Sequence, residues 1–514
     1  AGLLFTPNDK FDWYVTADYT IDHSSQVGGR NVTFPFTGDP AETYTVPGAA
    51  TYTCALYGHC DPSRNPYGTT RANNTDGNDS GFYGVMSDLN YNFGPARLTS
   101  VSGYRRMNHR VNEDVDTEAE TIFSAINDRI HSTVLSQELR LSSVANAGWD
   151  FGGRLDWVVG LYYFNVEFDQ DYHFIALDTP LVAVGGIPIT QLQNGETTSS
   201  AAFAHLIYNL TDQWSISAGG RQTHDKKDHS FRTSSFPPGA PFEDESESWN
   251  NFSYDLGTQF KLNDVQMIYV RYATGYRGGG FVDNPDFPED ATEYDPEKVK
   301  YWEVGLKADW FDRRLRTNIL AFYGDYTDLQ RSSSIPANNP QGFKQVIDNA
   351  ADATSKGVEL EMTAVPIPQL TLRENVGYLK NKYDTYVADI GFGLQDLSKA
   401  DFQQSPKWTS YTSATYDYTL PGIGTEAHAN IAYSWHSKQL VYSVPSPLAY
   451  QRKLGLLDAS LDFDLDHDAR MQLSIWGRNL TDERYQAFSS IITVGYLRVD
   501  GLPRTYGASL SIKF

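Results

Sequence analysis

Thr505-Tyr506-Gly507-Ala508-Ser509-Leu510-Ser511-Ile512-Lys513-Phe514 alternates without a break. In an extended chain successive side chains point to opposite faces. Tyr506, Ala508, Leu510, Ile512 and Phe514 therefore share one face, and Thr505, Gly507, Ser509, Ser511 and Lys513 the other. The same period recurs upstream. In 457–466, Leu457, Ala459, Leu461, Phe463 and Leu465 oppose Asp458, Ser460, Asp462, Asp464 and Asp466. In 301–310, Trp302, Val304, Leu306, Ala308 and Trp310 oppose Tyr301, Glu303, Gly305, Lys307 and Asp309. A row of carboxylates is prohibitive against lipid but stays hydrated on a polar lumen. A soluble β-sandwich alternates too, so the connections have to decide.

About 19 strands are readable. Short turns join some of them: Pro7-Asn8-Asp9, Phe93-Gly94-Pro95, Asn146-Ala147-Gly148, Thr211-Asp212, Asn263-Asp264, Phe311-Asp312-Arg313, Pro366-Ile367-Pro368, Pro421-Gly422-Ile423-Gly424 and Asp466-His467-Asp468. Each is a cluster of residues suited to a tight reversal. Long connections are expected near 22–80, 108–131, 167–197, 225–249, 277–296, 328–352, 382–404, 437–452 and 480–502. The two kinds strictly alternate. Compact soluble domains rarely carry loops beyond about 15 residues. An outer-membrane barrel has short periplasmic turns and long extracellular loops. Backbone groups in lipid must all be paired, so its sheet has to close.

Composition agrees. No run approaches the roughly 20 apolar residues of a membrane helix. Mean hydropathy is −0.46, yet 14% of residues are aromatic, with 33 Tyr, 27 Phe and 10 Trp. A barrel has this profile because only alternate strand residues meet lipid. The net charge of −23 argues against nucleic acid, which needs a basic footprint. The acidic stretches 113–116, 243–247 and 283–290 read as solvated loops, or as cation attraction at a pore mouth. The cysteines are Cys54 and Cys60 alone, which suggests one local disulfide in an oxidising compartment, bracing the first long loop. His59 could not complete a metal shell with them. No signal peptide is visible, and Ala1-Gly2-Leu3-Leu4-Phe5 is already strand-like, so the reading expects the true start upstream.

Motifs for chemistry are sparse. No Gly-Xaa-Ser-Xaa-Gly elbow stands at a strand–helix turn, so no catalytic residue is assigned. His224-Asp225 with His229 matches no standard metal spacing, and no metal or cofactor is expected. Arg277-Gly278-Gly279-Gly280 lacks the Lys-Ser/Thr ending of a phosphate loop, and its glycines more simply permit a tight path. Trp249 and Trp435 read as girdle or lumen packing.

Several stretches resemble the TonB-dependent receptors of Gram-negative outer membranes. Lys300-Tyr301-Trp302-Glu303-Val304-Gly305-Leu306-Lys307 is similar to one of that family's strands, with the tight turn and the 315–326 strand following as they do there. Asn349-Ala350, with Ser355-Lys356-Gly357-Val358-Glu359-Leu360-Glu361, resembles another, and Ser405-Pro406-Lys407-Trp408 resembles a strand entry. Asn479-Leu480-Thr481-Asp482-Glu483-Arg484-Tyr485 and the run from Gly501 to Phe514 are similar to its last elements. Ser136-Gln137-Glu138-Leu139-Arg140-Leu141 and Gly275-Tyr276-Arg277-Gly278-Gly279-Gly280-Phe281 also look like the family. Each is weak alone, but all stand in order across nearly the whole chain.

The expectation is an all-β fold, a transmembrane antiparallel barrel of about 22 strands, occupying residues 1–514. The resemblance implies a plug domain and a TonB-contacting box upstream of residue 1, rather than a cleaved plug or an open barrel. A chain that begins inside a strand would otherwise leave an unpaired edge in lipid. It further implies energised uptake of a scarce ligand, foremost a ferric siderophore, with cobalamin or an oligosaccharide as alternatives. Implied partners are the inner-membrane TonB complex, outer-membrane lipid and lipopolysaccharide, and a small ligand such as a metal chelate. The barrel-assembly machinery would read Tyr506, Leu510, Ile512 and Phe514. Ligand contacts are expected at Tyr276, Arg277 and Phe281, where a strand leaves the membrane on the long-loop side and could stack on and pair with an anionic chelate; the plainer alternative places Tyr276 in the aromatic girdle and pairs Arg277 with Asp283. The competing readings are a passive porin, which has fewer strands, and a soluble propeller, whose repeats are not found.

Overall fold

The computed structural model describes residues 2–24, 30–31, 43–45, 51–53, 77–114, 123–176, 187–234, 241–282, 292–336, 343–389, 394–420, 425–442, 449–466, 470–492 and 495–513. Cys54, Cys60 and Phe514 lie outside them.

Twenty of the described strands form one sheet, of which all but Leu394–Asp396 are the main strands, and the short remaining strands pair in small sheets of two or three. They are β1 (Gly2–Asn8), β2 (Phe11–Asp22), β3 (Gly77–Asn92), β4 (Ala96–Asp114), β5 (Phe123–Ser143) and β6 (Leu155–Ala176). Next come β7 (Ile187–Asn209), β8 (Trp214–Thr233), β9 (Glu243–Asn263), β10 (Gln266–Arg277), β11 (Glu297–Trp310), β12 (Leu315–Pro336) and β13 (Phe343–Ile367). The series ends with β14 (Leu370–Asp389), β15 (Trp408–Thr419), β16 (Glu426–His436), β17 (Leu454–Asp464), β18 (Met471–Arg478) and β19 (Thr505–Ile512). Each pairs antiparallel with its neighbours in chain order. The two ends of the sheet curve round toward each other. On the long-loop side the β18–β19 connection pairs with the β2–β3 connection, at Leu497↔Asn31 and Arg498↔Arg30. The accessible surface is 28,993 Å² for 57.6 kDa. A compact monomer of that mass would expose about 19,000 Å², so the sheet encloses a lumen rather than a packed core.

Nine short turns and nine longer connections alternate as the sequence predicts, but several expected loops are not loops. Over 108–131, 167–197, 225–249 and 328–352 the chain stays largely paired, so β4–β9, β12 and β13 run for 19 to 25 residues. A tilted membrane strand needs only about 9–11. The surplus forms ribbons beyond the membrane, such as His229↔Glu245 and Lys227↔Glu247. Ribbon residues are mostly polar on both faces, and the burial of His229 and Phe231 comes from rim contacts rather than lipid, so the apolar period of a membrane strand vanishes and the stretch reads as loop.

The short turns are held by their own backbone groups. In the β5–β6 turn Asn146 takes a positive φ of 58°, and the amide of Asn146 donates to the buried carboxylate of Asp150. Burial pushes the Asp150 carboxyl up, but the backbone amides of Asn146, Gly153, Asp150 and Gly148 outweigh it and hold it below its usual range.

Register assigns the faces. Leu461 pairs with Ala429 and Ile475, and Leu461, Ile431 and Ile475 are about half exposed to the outside. Asp458, Asp462 and Asp464 face inward, where Asp462 accepts Asn430 Nδ2 at 2.8 Å and Asp464 accepts Gln472 Nε2 at 3.0 Å. Exposed aromatics outline two belts on the outer face. Tyr272 and Trp302 (centroids 4.7 Å apart) and Tyr378 and Trp408 (4.7 Å) lie toward the ribbons. Trp214, Trp310, Tyr416 and Tyr418 lie toward the short turns. Such belts mark the two water interfaces of a membrane. Trp435 pairs with Ser410 and Gly455 and shares the outer face, whereas Trp249 shares the inner one and packs on Gly279. The outward residues between the belts are apolar or uncharged among those described, with one exception. Glu374 pairs with Met362 and Thr412 on that face, and Thr412 Oγ1 donates to its carboxylate at 2.5 Å. Tyr506, Leu510 and Ile512 are exposed together on the outer face of β19.

Candidate functional site

The long-loop rim is where the chain departs from simple barrel geometry. β9 and β10 part at Asp255↔Ala273, while β8 and β9 stay paired on to Phe231↔Glu243. Beyond the split, Tyr276 is half-buried with its hydroxyl beside the Asp225 carboxylate of β8. Arg277 is exposed. Gly278-Gly279-Gly280-Phe281 then crosses back over the rim as a strap. Gly279 needs its missing side chain, since a Cβ there would stand 2.7 Å from the Trp249 ring and 2.4 Å from the Tyr294 carbonyl. Gln330 Nε2 of β12 fastens the strap by donating to the carbonyls of Gly278 (2.9 Å) and Asp295 (3.0 Å). Asn349 Nδ2 of β13 donates to Asp295 and Asp328.

Phe281, the last residue of the strap, is buried. Its ring stacks on His229 (6.0 Å, 16°), which stacks on Phe231 (5.7 Å, 16°). His229 is itself 7% exposed and lies against Gln193 Oε1 (3.1 Å) and Glu245 Oε2 (3.4 Å). Burial raises the Glu245 carboxyl above its usual range, against the opposing pull of His229. His224 faces Asn250 instead, so the two histidines do not converge. The three expected contact residues are thus neighbours with different roles. Arg277 is exposed, Tyr276 is half-buried beside Asp225, and Phe281 anchors the strap.

A second rim cluster escapes sequence reading. Leu329, Ala351, Ala353, Tyr383 and Tyr386 are buried together on β12, β13 and β14, with Phe402 and Leu397 of the next connection packed on them. Tyr383 stacks on Phe402 at 4.0 Å and 17°. The Arg331 guanidinium lies 5.1 Å from the Tyr383 ring and 5.0 Å from Phe402, and its Nε has no hydrogen-bond partner among the described residues. Burial pushes the Tyr383 hydroxyl up to about 12, and the Tyr386 hydroxyl up as well. These residues are scattered over 329–402, and β-bulges at Asp328 (φ 56°), between Leu329 and Gln330, and between Asp352 and Ala353 bring the strands into position. A cleft of about 680 Å³ opens on the barrel's outer surface. It is lined by Trp214, Phe260, Ile268, Val270, Val304 and Ile319, which belong to the lipid face, so it is not a candidate for a water-soluble ligand.

An antiparallel barrel with belts at both interfaces, a polar lumen and ribbons on one side is an outer-membrane transport barrel. Residues 11–480 match the family model described as TonB dependent receptor-like, beta-barrel. The chain belongs to that family of transport receptors, and its barrel spans the outer membrane of a Gram-negative bacterium. It is 25% identical over 379 residues to the pesticin receptor of Yersinia pestis, covering 74% of this chain and 51% of that protein. It is 30% identical, with the same coverage, to the pesticin receptor of Yersinia enterocolitica serotype O:8. It spans about half the length of these curated relatives. Among solved structures, the ferric yersiniabactin uptake receptor FyuA of Yersinia pestis matches all of this chain and 70% of its own, with a TM-score of 0.74 at 18% identity. The siderophore receptor PiuA of Acinetobacter baumannii gives 0.72 at 14%, covering 100% and 73%. The ferripyoverdine receptor of Pseudomonas aeruginosa bound to ferripyoverdine gives 0.65 at 16%, covering 100% and 64%. At these identities the structures speak for the fold.

Proposed function

We propose that this barrel belongs to a receptor that takes up a ferric siderophore at the ribbon-bearing rim, energised by the inner-membrane TonB complex through a segment outside this sequence. The transported species leaves unchanged, so the reading is transport and not catalysis. The observation that carries it is a cationic, aromatic-lined feature at the rim, Arg331 beside the stacked rings of Tyr383 and Phe402, together with the exposed Arg277 on the same rim. A ferric chelate with carboxylate or catecholate donors is anionic and flat-faced, and guanidinium groups beside aromatic rings answer both properties. The siderophore receptors among the structural neighbours support the ligand class. Domain organisation beyond the barrel, with a plug ahead of residue 1, belongs to the same proposal.

The test is uptake of radioactive iron supplied as a panel of ferric siderophores, in cells lacking other receptors, with and without TonB. Arg277→Ala and Arg331→Ala should each weaken binding about tenfold, close to 1.4 kcal/mol, at unchanged barrel content. Uptake that persists without TonB would replace this reading with a passive channel.

A further inference from the structure

We propose that Glu426, His428 and Asp464 form a divalent-cation site of zinc type at the short-turn end of the lumen, far from the ligand-facing rim. Glu426 and His428 are two apart on β16 and so share its inner face. His428 pairs in register with Asp417 of β15 and Asp462 of β17, and Asp464 stands two residues beyond Asp462 on the same face. One ligand atom from each of Glu426, His428 and Asp464 can lie within 4.8 Å of the others.

The internal geometry separates this group from an ordinary acidic patch. His428 Nδ1 lies 2.8 Å from Asp417 Oδ1, a good hydrogen bond that fixes the ring and turns Nε2 toward Asp464. Nε2 stands 3.4 Å from Asp464 Oδ2. That is long for a charge-assisted hydrogen bond. It equals the separation of two ligands on a tetrahedral ion with bonds of about 2.0–2.1 Å, which is about 3.4 Å. The second oxygen of Asp464 is held by Gln472 Nε2 at 3.0 Å. A ligating histidine with its far nitrogen on a carboxylate, and a ligating carboxylate with its far oxygen hydrogen-bonded, is the support that metal ligands receive from their surroundings. Glu426 is exposed at the strand end, and a carboxylate oxygen of it lies within 4.8 Å of the other two ligand atoms, near enough to serve as third ligand. Imidazole with carboxylates suits zinc, and three protein ligands leave one position for water. Lys513 is the cation that faces Asp464. It is outnumbered by Asp417, Glu426, Asp462 and Asp464.

The competing account is a protonated His428 bridging two aspartates with no ion. Calorimetric titration of the detergent-solubilised receptor with zinc chloride separates them, with magnesium chloride as control. One saturable zinc equivalent with micromolar or tighter affinity is expected, together with a zinc-dependent rise in unfolding temperature. Glu426→Gln, an exposed change that leaves packing alone, and His428→Gln should each weaken binding at least tenfold. Asp417→Asn, acting through the histidine, should weaken it about 10- to 100-fold. Absence of saturable zinc binding, or affinity unchanged in both Glu426→Gln and His428→Gln, overturns the proposal.

Discussion

Glu374 gives the sharpest test of the barrel's placement in lipid. It stands four residues below Tyr378, whose ring meets Trp408 in the ribbon-side belt, and four above Leu370, which pairs with Tyr416 of the opposite belt. Four residues at about 3.4 Å each, tilted about 40°, cover roughly 10 Å along the membrane normal. In an apolar band about 25 Å tall this is close to the midplane. Cations there cost about 2–4 kcal/mol and acids less, so about 1–2 kcal/mol is reasonable. Thr412 recovers about 1 kcal/mol through its hydrogen bond. A leucine side chain at this position would remove the charge cost and add apolar contact with lipid, a further ~1 kcal/mol. Glu374→Leu should therefore stabilise the barrel by about 1–2 kcal/mol, measured by reversible urea unfolding in lipid vesicles with tryptophan fluorescence. Thr412→Val should cost about 1–2 kcal/mol in the parent, where it strands the carboxylate, and nearly nothing in the Glu374→Leu background. A Glu374→Leu protein less stable than the parent, or a Thr412→Val cost that does not shrink, would refute the assignment of this face to lipid.

Gly305 tests the lumen side. An added Cβ would lie 2.3 Å from the Tyr269 ring, whose hydroxyl donates to Glu303 at 2.6 Å. Gly305→Ala should cost about 1–2 kcal/mol by displacing that ring, and the cost should disappear in a Tyr269→Ala background in the same unfolding assay. Ile431→Arg, at the centre of the outer face of β16, should cost about 2–4 kcal/mol; a loss below about 0.5 kcal/mol, on the order of a surface change, would count against the register. Asp150 supplies a pH dependence. Its folded carboxyl sits below the ordinary value near 3.9, so its stabilising contribution is present above that pH and is lost as pH falls through the folded value. The stability gap between parent and Asp150→Asn should be widest near neutrality and close on acidification. A gap independent of pH would show that the turn is held by shape alone.

The strand count and faces were legible because lipid imposes a hard rule on alternate residues. The Leu457–Asp466 and Tyr301–Trp310 patterns survive intact in register. Strand ends were not legible. Where β8 and β9 rise as a ribbon, Lys226 pairs with Ser248 and Asp228 with Ser246. Polar residues on both faces leave no apolar pattern to read. Of the rim residues, Tyr276 and Arg277 were visible because they flank a glycine run. The burial of Phe281 depends on His229 and Phe231 of a strand some 50 residues earlier. Arg331, Tyr383 and Phe402 meet only across paired strands, and so do Glu426, His428 and Asp464. Local spacing cannot announce contacts that register creates.

The ribbons carry a consequence for how such a receptor can diversify. A paired ribbon lengthened by one residue on each arm, two in total, keeps its ladder and moves only its tip, whereas an odd insertion in one arm turns every later side chain over unless a bulge absorbs it. At Asp328 one extra residue on β12 is offset by one at Ala350 on β13, so the pairs on either side, Tyr326↔Ala353 and Gln330↔Asn349, keep one register. Reach and chemistry at the tips can therefore drift, be grafted or be shortened in paired steps while the lipid-facing wall stays constant. Sequence variation in this chain should concentrate beyond the ribbon-side aromatic belt, and its insertions should come mostly in even numbers.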